Sequence, residues 1–137
     1  MTTDFGNPFQ QGDAIHGIVL QPDGKIVAAG ETMSGGDSAL ARYNANGTLD
    51  ASFGTGGKVT ADLGNYDNGY GVALQADGKI VIAGEAEPFA STSPDFLVAR
   101  FLGDSAALLA ASSGPGRGSQ TLALPEANPL LTEAFAR

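Results

Sequence analysis

The sequence contains a single histidine, His16, and no cysteine, so few residues are available for acid–base or nucleophilic chemistry. A catalytic relay would need a nucleophile and a carboxylate beside this imidazole, an arrangement that is recognised by geometry rather than by spacing. Without a second histidine, His16 is explained more simply as one residue of a predicted strand. We therefore expect a protein that is not an enzyme, with no catalytic residues and no cofactor.

A loop rich in side-chain oxygens is the candidate metal site. It contains Asp62, Asn65 and Asp67, and Ca²⁺ prefers carboxylate and carbonyl oxygens as ligands. The alternation of acidic residues with a glycine at the sixth position, which defines the common calcium loop, is absent. Asx turns and loop capping explain the same residues more simply.

The segment Ser52–Lys58, SFGTGGK, invites comparison with a phosphate-binding loop, but its spacing does not fit. Such a loop needs glycine where Ser52 stands and a hydroxyl residue where Val59 stands. We therefore assign these glycines to a structural turn. The net charge of −8, with only seven Lys and Arg residues, also disfavours a nucleic-acid partner.

Arg42 and Arg100 recur at matching positions, each following an aspartate, Asp37 or Asp95. An arginine that recurs within a strand suggests a structural ion pair, or a hydrogen bond to a loop carbonyl, in each repeat. A ring of ligand-binding arginines would need more copies. We therefore treat all these residues as candidates for structural ion pairs.

These side chains are positioned by a hairpin that occurs twice. Residues 20–31, LQPDGKIVAAGE, match residues 74–85, LQADGKIVIAGE, at ten of twelve positions. An Asp-Gly pair between two apolar runs predicts a tight hairpin turn, because glycine adopts positive φ without a steric penalty. Asn-Gly is a second turn signal. The predicted turn residues are Asp23, Gly24, Asp77, Gly78, Asn46 and Gly47.

Each repeat predicts four short strands rich in Val, Ile, Leu and Ala. They cover about 15–21, 25–31, 38–44 and 58–63 in the first repeat, and 69–75, 79–85 and 96–102 in the second. The second repeat is truncated, and residues 120–124 are the candidate for its fourth strand. The chain divides into a first blade, 1–64, a second blade, 65–102, and a divergent tail, 103–137.

The tail departs from the repeat pattern. Its Ala- and Leu-rich segment 103–113 predicts a helical turn, and the sequence GPGRG at 114–118 predicts a flexible break. Asn128 followed by Pro129 predicts an N-cap that opens a short helix over 129–136. The tail is either a degenerate cap of the repeats or unrelated sequence joined to a truncated array.

The repeated motifs resemble the delta-sixty repeat, an uncharacterised bacterial β-propeller-type repeat. The residues that carry the resemblance are QPDGKIV at 21–27, DSALARYN at 37–44 and NGTLDASFGTGGKVT at 46–60. The resemblance covers Asp4 to about Leu102. It implies four-stranded blades in large bacterial proteins that are often exported or attached to the cell surface, and it brings no catalytic residues.

The predicted fold is all-β, with two four-stranded antiparallel propeller-like blades forming a partial β-propeller and an irregular or short-helical C-terminal tail. Closed propellers typically have about four to eight blades, so two blades leave open edges and apolar faces. We expect the tail to cover them, copies to associate into a homo-oligomer through the open blade edges, or the array to be a fragment.

The expected function is that of a non-enzymatic repeat module with a structural role or with a protein or glycan partner. The alternatives are a fragment of a carbohydrate-acting propeller enzyme and a truncated array with no function of its own. No signal peptide and no membrane-spanning run are visible in the sequence, so we expect no membrane insertion. An extracellular or cell-surface location follows only from the resemblance.

Overall fold

The computed structural model describes residues 2–6, 12–33, 36–63, 66–87, 93–104 and 108–113. This part of the chain contains eight β-strands and no helix, so the protein is all-β as predicted. The strands are β1 (Ala14–Leu20), β2 (Ile26–Thr32), β3 (Asp37–Tyr43), β4 (Lys58–Ala61), β5 (Tyr66–Leu74), β6 (Ile80–Glu87), β7 (Asp95–Phe101) and β8 (Leu108–Ser113).

The strands form two four-stranded antiparallel sheets with the same topology. We call the sheet β1-β2-β3-β4 the first blade and the sheet β5-β6-β7-β8 the second blade. In each blade neighbours in sequence are neighbours in the sheet, so no connection crosses over another strand. This simple meander is the architecture of a propeller blade.

The Asp-Gly pairs lie at the turns that join the first two strands of each blade. Gly24 and Gly78 have φ values of +84° and +83°, which a residue with a side chain rarely adopts. Main-chain hydrogen bonds close the turns, with the amides of Gln21 and Gln75 each donating over 2.8 Å. The turns fix the register of the hairpins, so the apolar residues of both repeats fall at equivalent places in each sheet.

The core lies between the blades, which stack face to face. The first blade contributes Val27, Ala29 and Leu40, all at most 1% exposed. The second blade contributes mainly β6 and β7 through Ile80, Ile82, Leu97, Ala99 and Phe101, which are equally buried. Because side chains alternate between the two sides of a strand, even-numbered residues of β6 and odd-numbered residues of β2 face this core.

Consequently, the two blades use opposite sides of the same repeat. The counterpart of Val27 in the second blade is Val81, which points away from the core, whereas Ile80 and Ile82 point into it. The two blades thus stack in the same orientation, with one side of the first blade against the opposite side of the second.

A loop between β3 and β4 completes the first blade. Phe53 lies at its centre with no exposed surface, filling the space beneath the loop. Gly54, Gly56 and Gly57 all have positive φ, which lets the chain turn tightly around the ring before Lys58 begins β4. The short apolar plug and the glycines together shape the end of the blade.

The helical turn predicted in the segment 103–113 is wrong in its second half. Leu108–Ser113 is the strand β8, paired antiparallel with β7 from Phe101↔Leu108 to Leu97↔Ser113. The unpaired edge of β7 offers a row of main-chain donors and acceptors, and pairing with it outweighs the weak helix propensity of Ala and Leu. The second blade therefore has a fourth strand directly after its third.

The remaining predictions for the tail fall outside the described residues. These are the candidate strand at 120–124, the break at 114–118 and the helix over 129–136. Within the described part of the chain, no helix is long and apolar enough to cross a membrane.

Candidate functional site

The junction between the blades holds a buried arginine, Arg42, at the end of β3. Its Nε donates a hydrogen bond to Asp50 Oδ2 at 2.7 Å, and both residues are buried. The guanidinium carbon lies 4.5 Å from the centre of the Phe53 ring, which adds a cation–π contact. The side chain is thus held in place by its own blade.

The other end of the same guanidinium reaches into the second blade. Arg42 Nη1 donates to the carbonyl oxygen of Gly103, and Nη2 donates to the carbonyl oxygen of Asp104 at 3.3 Å. Both acceptors lie in the turn between β7 and β8. The planar fork of an arginine suits such a double contact better than a lysine would. We call this arrangement the Arg42 clamp.

Asp50 is the carboxylate on which the clamp depends. Ser52 donates to it through its hydroxyl at 2.7 Å, and Lys25 Nζ lies 3.0 Å from its second oxygen. Hydrogen bonds from Ser52 and Lys25 hold the pKa of Asp50 well below its usual range. Asp50 is therefore ionised at neutral pH and offsets the buried charge of Arg42.

The aspartate predicted to accompany Arg42 was Asp37, but Asp50 is the residue that pairs with it. The reason is the two-residue period of a strand: positions 37 and 42 differ by an odd number, so their side chains lie on opposite sides of β3. The same holds for Asp95 and Arg100 on β7. Asp50 lies in the loop after β3, so the alternation of side chains along the strand does not prevent it from reaching Arg42.

Asp37 instead lies close to two residues of the oxygen-rich loop. Carboxylate oxygens of Asp37, Asp62 and Asp67 all lie within 4.8 Å of one another. Burial, and then the charge of Asp62, raise the pKa of Asp37. The structure thus brings together two of the three residues considered for calcium, adds Asp37 to them, and leaves Asn65 outside its described part.

Asp67 also links the two blades through its main chain. Its carbonyl oxygen accepts a hydrogen bond from Ser38 Oγ at 3.3 Å, and its amide donates to the carbonyl oxygen of Gly36. Its fully buried side chain accepts a hydrogen bond from the amide of Leu63. These contacts give the carboxylate group a structural role in joining the end of the first blade to the second.

A third cluster spans the first strands of both blades and contains His16. The imidazole Nε2 lies 3.3 Å from Glu31 Oε1, and the ring meets Tyr70 edge-on with centroids 5.4 Å apart. Tyr70 in turn donates to Glu85 Oε1 at 2.5 Å, and this hydrogen bond raises the pKa of Tyr70. Side chains of these types can exchange protons or hydrogen-bond a hydroxylated ligand.

The backbone explains why these rings point where they do. Each strand has a bulge, between Ile15 and Gly17 in β1 and between Gly69 and Gly71 in β5, so His16 and Tyr70 are the extra residues. A bulge re-aims a side chain away from the regular alternation. The sequence could have indicated this cluster, because the pair His16 and Glu31 occupies the same positions in the first repeat as the pair Tyr70 and Glu85 does in the second.

The predicted turn residues form local contacts. Asp23 Oδ1 accepts from the amide of Lys25 at 3.1 Å, and Asp77 Oδ1 accepts from that of Lys79 at 3.2 Å. Asn46 Oδ1 accepts from the amide of Thr48 at 3.1 Å. All are contacts within a single turn, as expected of Asx turns.

The comparisons with known proteins agree with this architecture. A family described as a β-propeller domain of unknown function, DUF5122, matches residues 21–53 and 75–106. Each match contains a turn and the second and third strands of one blade. These segments are repeats of the β-propeller type. None of the curated proteins matches the chain.

Proposed function

We propose that this chain is a non-enzymatic structural module of the delta-sixty type, whose two blades act as one unit. The observation that carries the proposal is the Arg42 clamp, in which a residue common to both repeats binds main-chain carbonyls of the neighbouring blade. Shared residues in the turns and the core support the same role, because they shape and join blades rather than line a site. An exported or cell-surface bacterial protein is the setting that the resemblance supplies.

Amide hydrogen exchange tests whether the blades act as one unit. Main-chain amides of β2 and β3 and those of β6 and β7 should exchange with the same opening free energy, because a shared core and clamp couple the two sheets. Peptides covering 26–43 and 80–101 report each blade separately by mass spectrometry. A second blade that opens well before the first would contradict the proposal.

A second candidate is a carbohydrate-binding or carbohydrate-acting role, which the His16 cluster favours. Two glutamates, Glu31 and Glu85, lie beside rings that can contact a sugar, and glycosidases use a pair of carboxylates. The test is binding to a glycan array and hydrolysis of a panel of polysaccharides, with Glu31→Gln and Glu85→Gln as variants. Binding or hydrolysis that both variants abolish would favour this role over a purely structural one.

A further inference from the structure

We propose that the outward face of the second blade docks onto the outward face of the first blade of a second copy of this chain, head to tail. This proposal rests on the structural role proposed above and names the partner. It starts from five exposed apolar residues, Ile15, Ile18, Leu20, Phe96 and Val98, which lie on the two outer sides of the stack.

We call the outer side of the second blade the tail face. Its residues correspond, repeat to repeat, to residues of the first blade that are buried in the core. Leu40 is 1% exposed, whereas its counterpart Val98 is 49% exposed. Ala29 is buried, whereas its counterpart Ala83 is exposed. A residue type that is buried in one repeat and exposed in the other marks a surface that lacks its neighbour within the chain. The tail face comprises Ala73, Val81, Ala83, Phe96 and Val98.

We call the outer side of the first blade the head face. Its residues correspond, repeat to repeat, to residues of the second blade that are buried in the core. Val72 and Leu74 pack against the core, whereas their counterparts Ile18 and Leu20 are each 67% exposed. The head face comprises the exposed Ile18 and Leu20 and, beside them, Ala28, Ala39 and Ala41, which are only 3–5% exposed. The junction inside the chain therefore shows how a tail face fits a head face.

A groove of about 580 Å³ crosses the head face. Its floor includes Ala28, Ala39 and Ala41, whose counterparts in the second blade are Ile82, Leu97 and Ala99. Inside the chain, that counterpart surface is covered by the side chains of Val27 and Leu40 from the first blade. The groove thus lies where Val81 and Val98 of a second copy would pack.

The N-terminal segment is already arranged as the junction requires. The amide of Phe5 donates to Asp13 Oδ2 at 2.9 Å, and the amide of its counterpart Leu63 donates to Asp67 Oδ2. Thr3–Phe5 therefore lies beside the first blade as Ala61–Leu63 lies beside the second. At the internal junction this segment follows β4 of the neighbouring blade, whereas on the head face Thr3–Phe5 supplies it from the same chain and lines the groove, so a docked copy would contact it.

The copy–copy junction is wider than the internal one at one end. A Cβ atom on Gly69 would lie 3.8 Å from Ser38 Oγ, which shows how closely the blades approach there. The counterparts on the outer faces are Ile15 and Phe96, which are 62% and 86% exposed. Two large apolar side chains meet where the internal junction has small ones, which adds apolar contact and opens the angle between copies.

A head-to-tail contact joins two different surfaces, so it continues from copy to copy until a ring closes. Sedimentation velocity of the full chain over a wide concentration range should show oligomers larger than a dimer. Ile18→Asp and Val98→Asp should each weaken association at least about tenfold, because a carboxylate would be buried in an apolar contact. Met33→Asp is the matched control, since Met33 is as exposed as Val98 but lies on neither face.

Mixing the two variants gives the decisive result. Ile18→Asp keeps an intact tail face and Val98→Asp keeps an intact head face, so the mixture should form a one-to-one dimer that grows no further. A wild-type monomer at all concentrations would overturn the proposal, as would a mixture that forms no dimer or oligomers that Met33→Asp disrupts equally. Hydrogen exchange on the same samples separates this failure from that of the proposed function, because a monomer with coupled blades overturns the docking alone.

Discussion

Asp37 carries a charge in an unfavourable place, beside Asp62 and Asp67. Because its pKa is raised in the folded chain, the native state holds its proton more tightly than the unfolded state does. The charged carboxylate therefore lowers the stability at neutral pH, and this loss disappears as the pH falls below the unfolded value of 3.8. Asp37→Asn should raise the melting temperature at pH 7, with a gain that shrinks on acidification.

Asp95→Asn is the control for this prediction. Asp95 is the counterpart of Asp37 on β7, and the three-carboxylate cluster among the described residues does not include it. Its replacement should change the melting temperature less at every pH. A variant Asp37→Asn that is less stable than the wild type at pH 7 would show that the ionised carboxylate is needed by the fold.

For single residues, the sequence predicted which ones recur in both repeats but not which of them are in contact. Arg42 was singled out correctly as a repeated strand residue, yet its partner Asp50 comes from a loop whose path is not encoded by strand periodicity. A hydrogen bond to a loop carbonyl was the predicted alternative, but within the same repeat, whereas the acceptors Gly103 and Asp104 belong to the other blade. Asp62 and Asp67 were grouped by proximity in sequence, whereas Asp37 joins Asp62 through the pairing of β3 with β4 and joins Asp67 through the contact between the blades.

The bulged strand pairs of both blades depend on a glycine opposite each bulge. A Cβ atom on Gly30 would overlap the carbonyl oxygen of Ala14, and one on Gly84 would overlap that of Asn68. Main-chain atoms in a sheet cannot move aside as a flexible side chain can. Gly30→Ala and Gly84→Ala should each lower the free energy of unfolding by about 1–3 kcal/mol, measured by urea denaturation.

Gly12→Ala supplies the comparison, because a Cβ atom there would have no neighbour within 4 Å. This variant should unfold at nearly the wild-type urea concentration. If Gly30→Ala behaved like Gly12→Ala, the tight approach of β1 to β2 would not be a feature of the protein in solution.

Strands and turns were the most predictable elements. The Asp-Gly repeats and the alternation of apolar residues predicted seven of the eight strands to within a few residues. The eighth, Leu108–Ser113, was missed because it lacks the repeat motif and its composition favours a helix. Its place is set by the open edge of β7, a long-range effect that local sequence does not express.

The stability of the whole molecule should depend strongly on Arg42. Arg42→Ala leaves Asp50 buried beside an unfilled space and removes the contacts between the blades, so the free energy of unfolding should fall by about 3–5 kcal/mol. Hydrogen exchange should accelerate in both sheets, because the clamp belongs to both. Faster exchange confined to the first blade would show that Arg42 stabilises only its own loop.

Lys25→Met provides the control for the clamp. Lys25 contacts the same carboxylate, but its side chain is 30% exposed, and among the described residues its ion pairs are with Asp23 and Asp50 of the first blade. Its loss should cost clearly less than that of Arg42, because Arg42 stays in place to offset the charge of Asp50. An equal loss in both variants would assign the effect to the charge of Asp50 rather than to the junction.

The choice of main-chain acceptors for Arg42 has a consequence for how such chains change over time. A guanidinium that binds carbonyl oxygens makes no demand on the side chains of the following blade. A blade can therefore be duplicated, lost or exchanged by recombination without a matching change in its neighbour. The divergent turn at Gly103 and Asp104 shows the result, since it accepts the clamp although it has none of the Asn-Gly sequence found in the first blade.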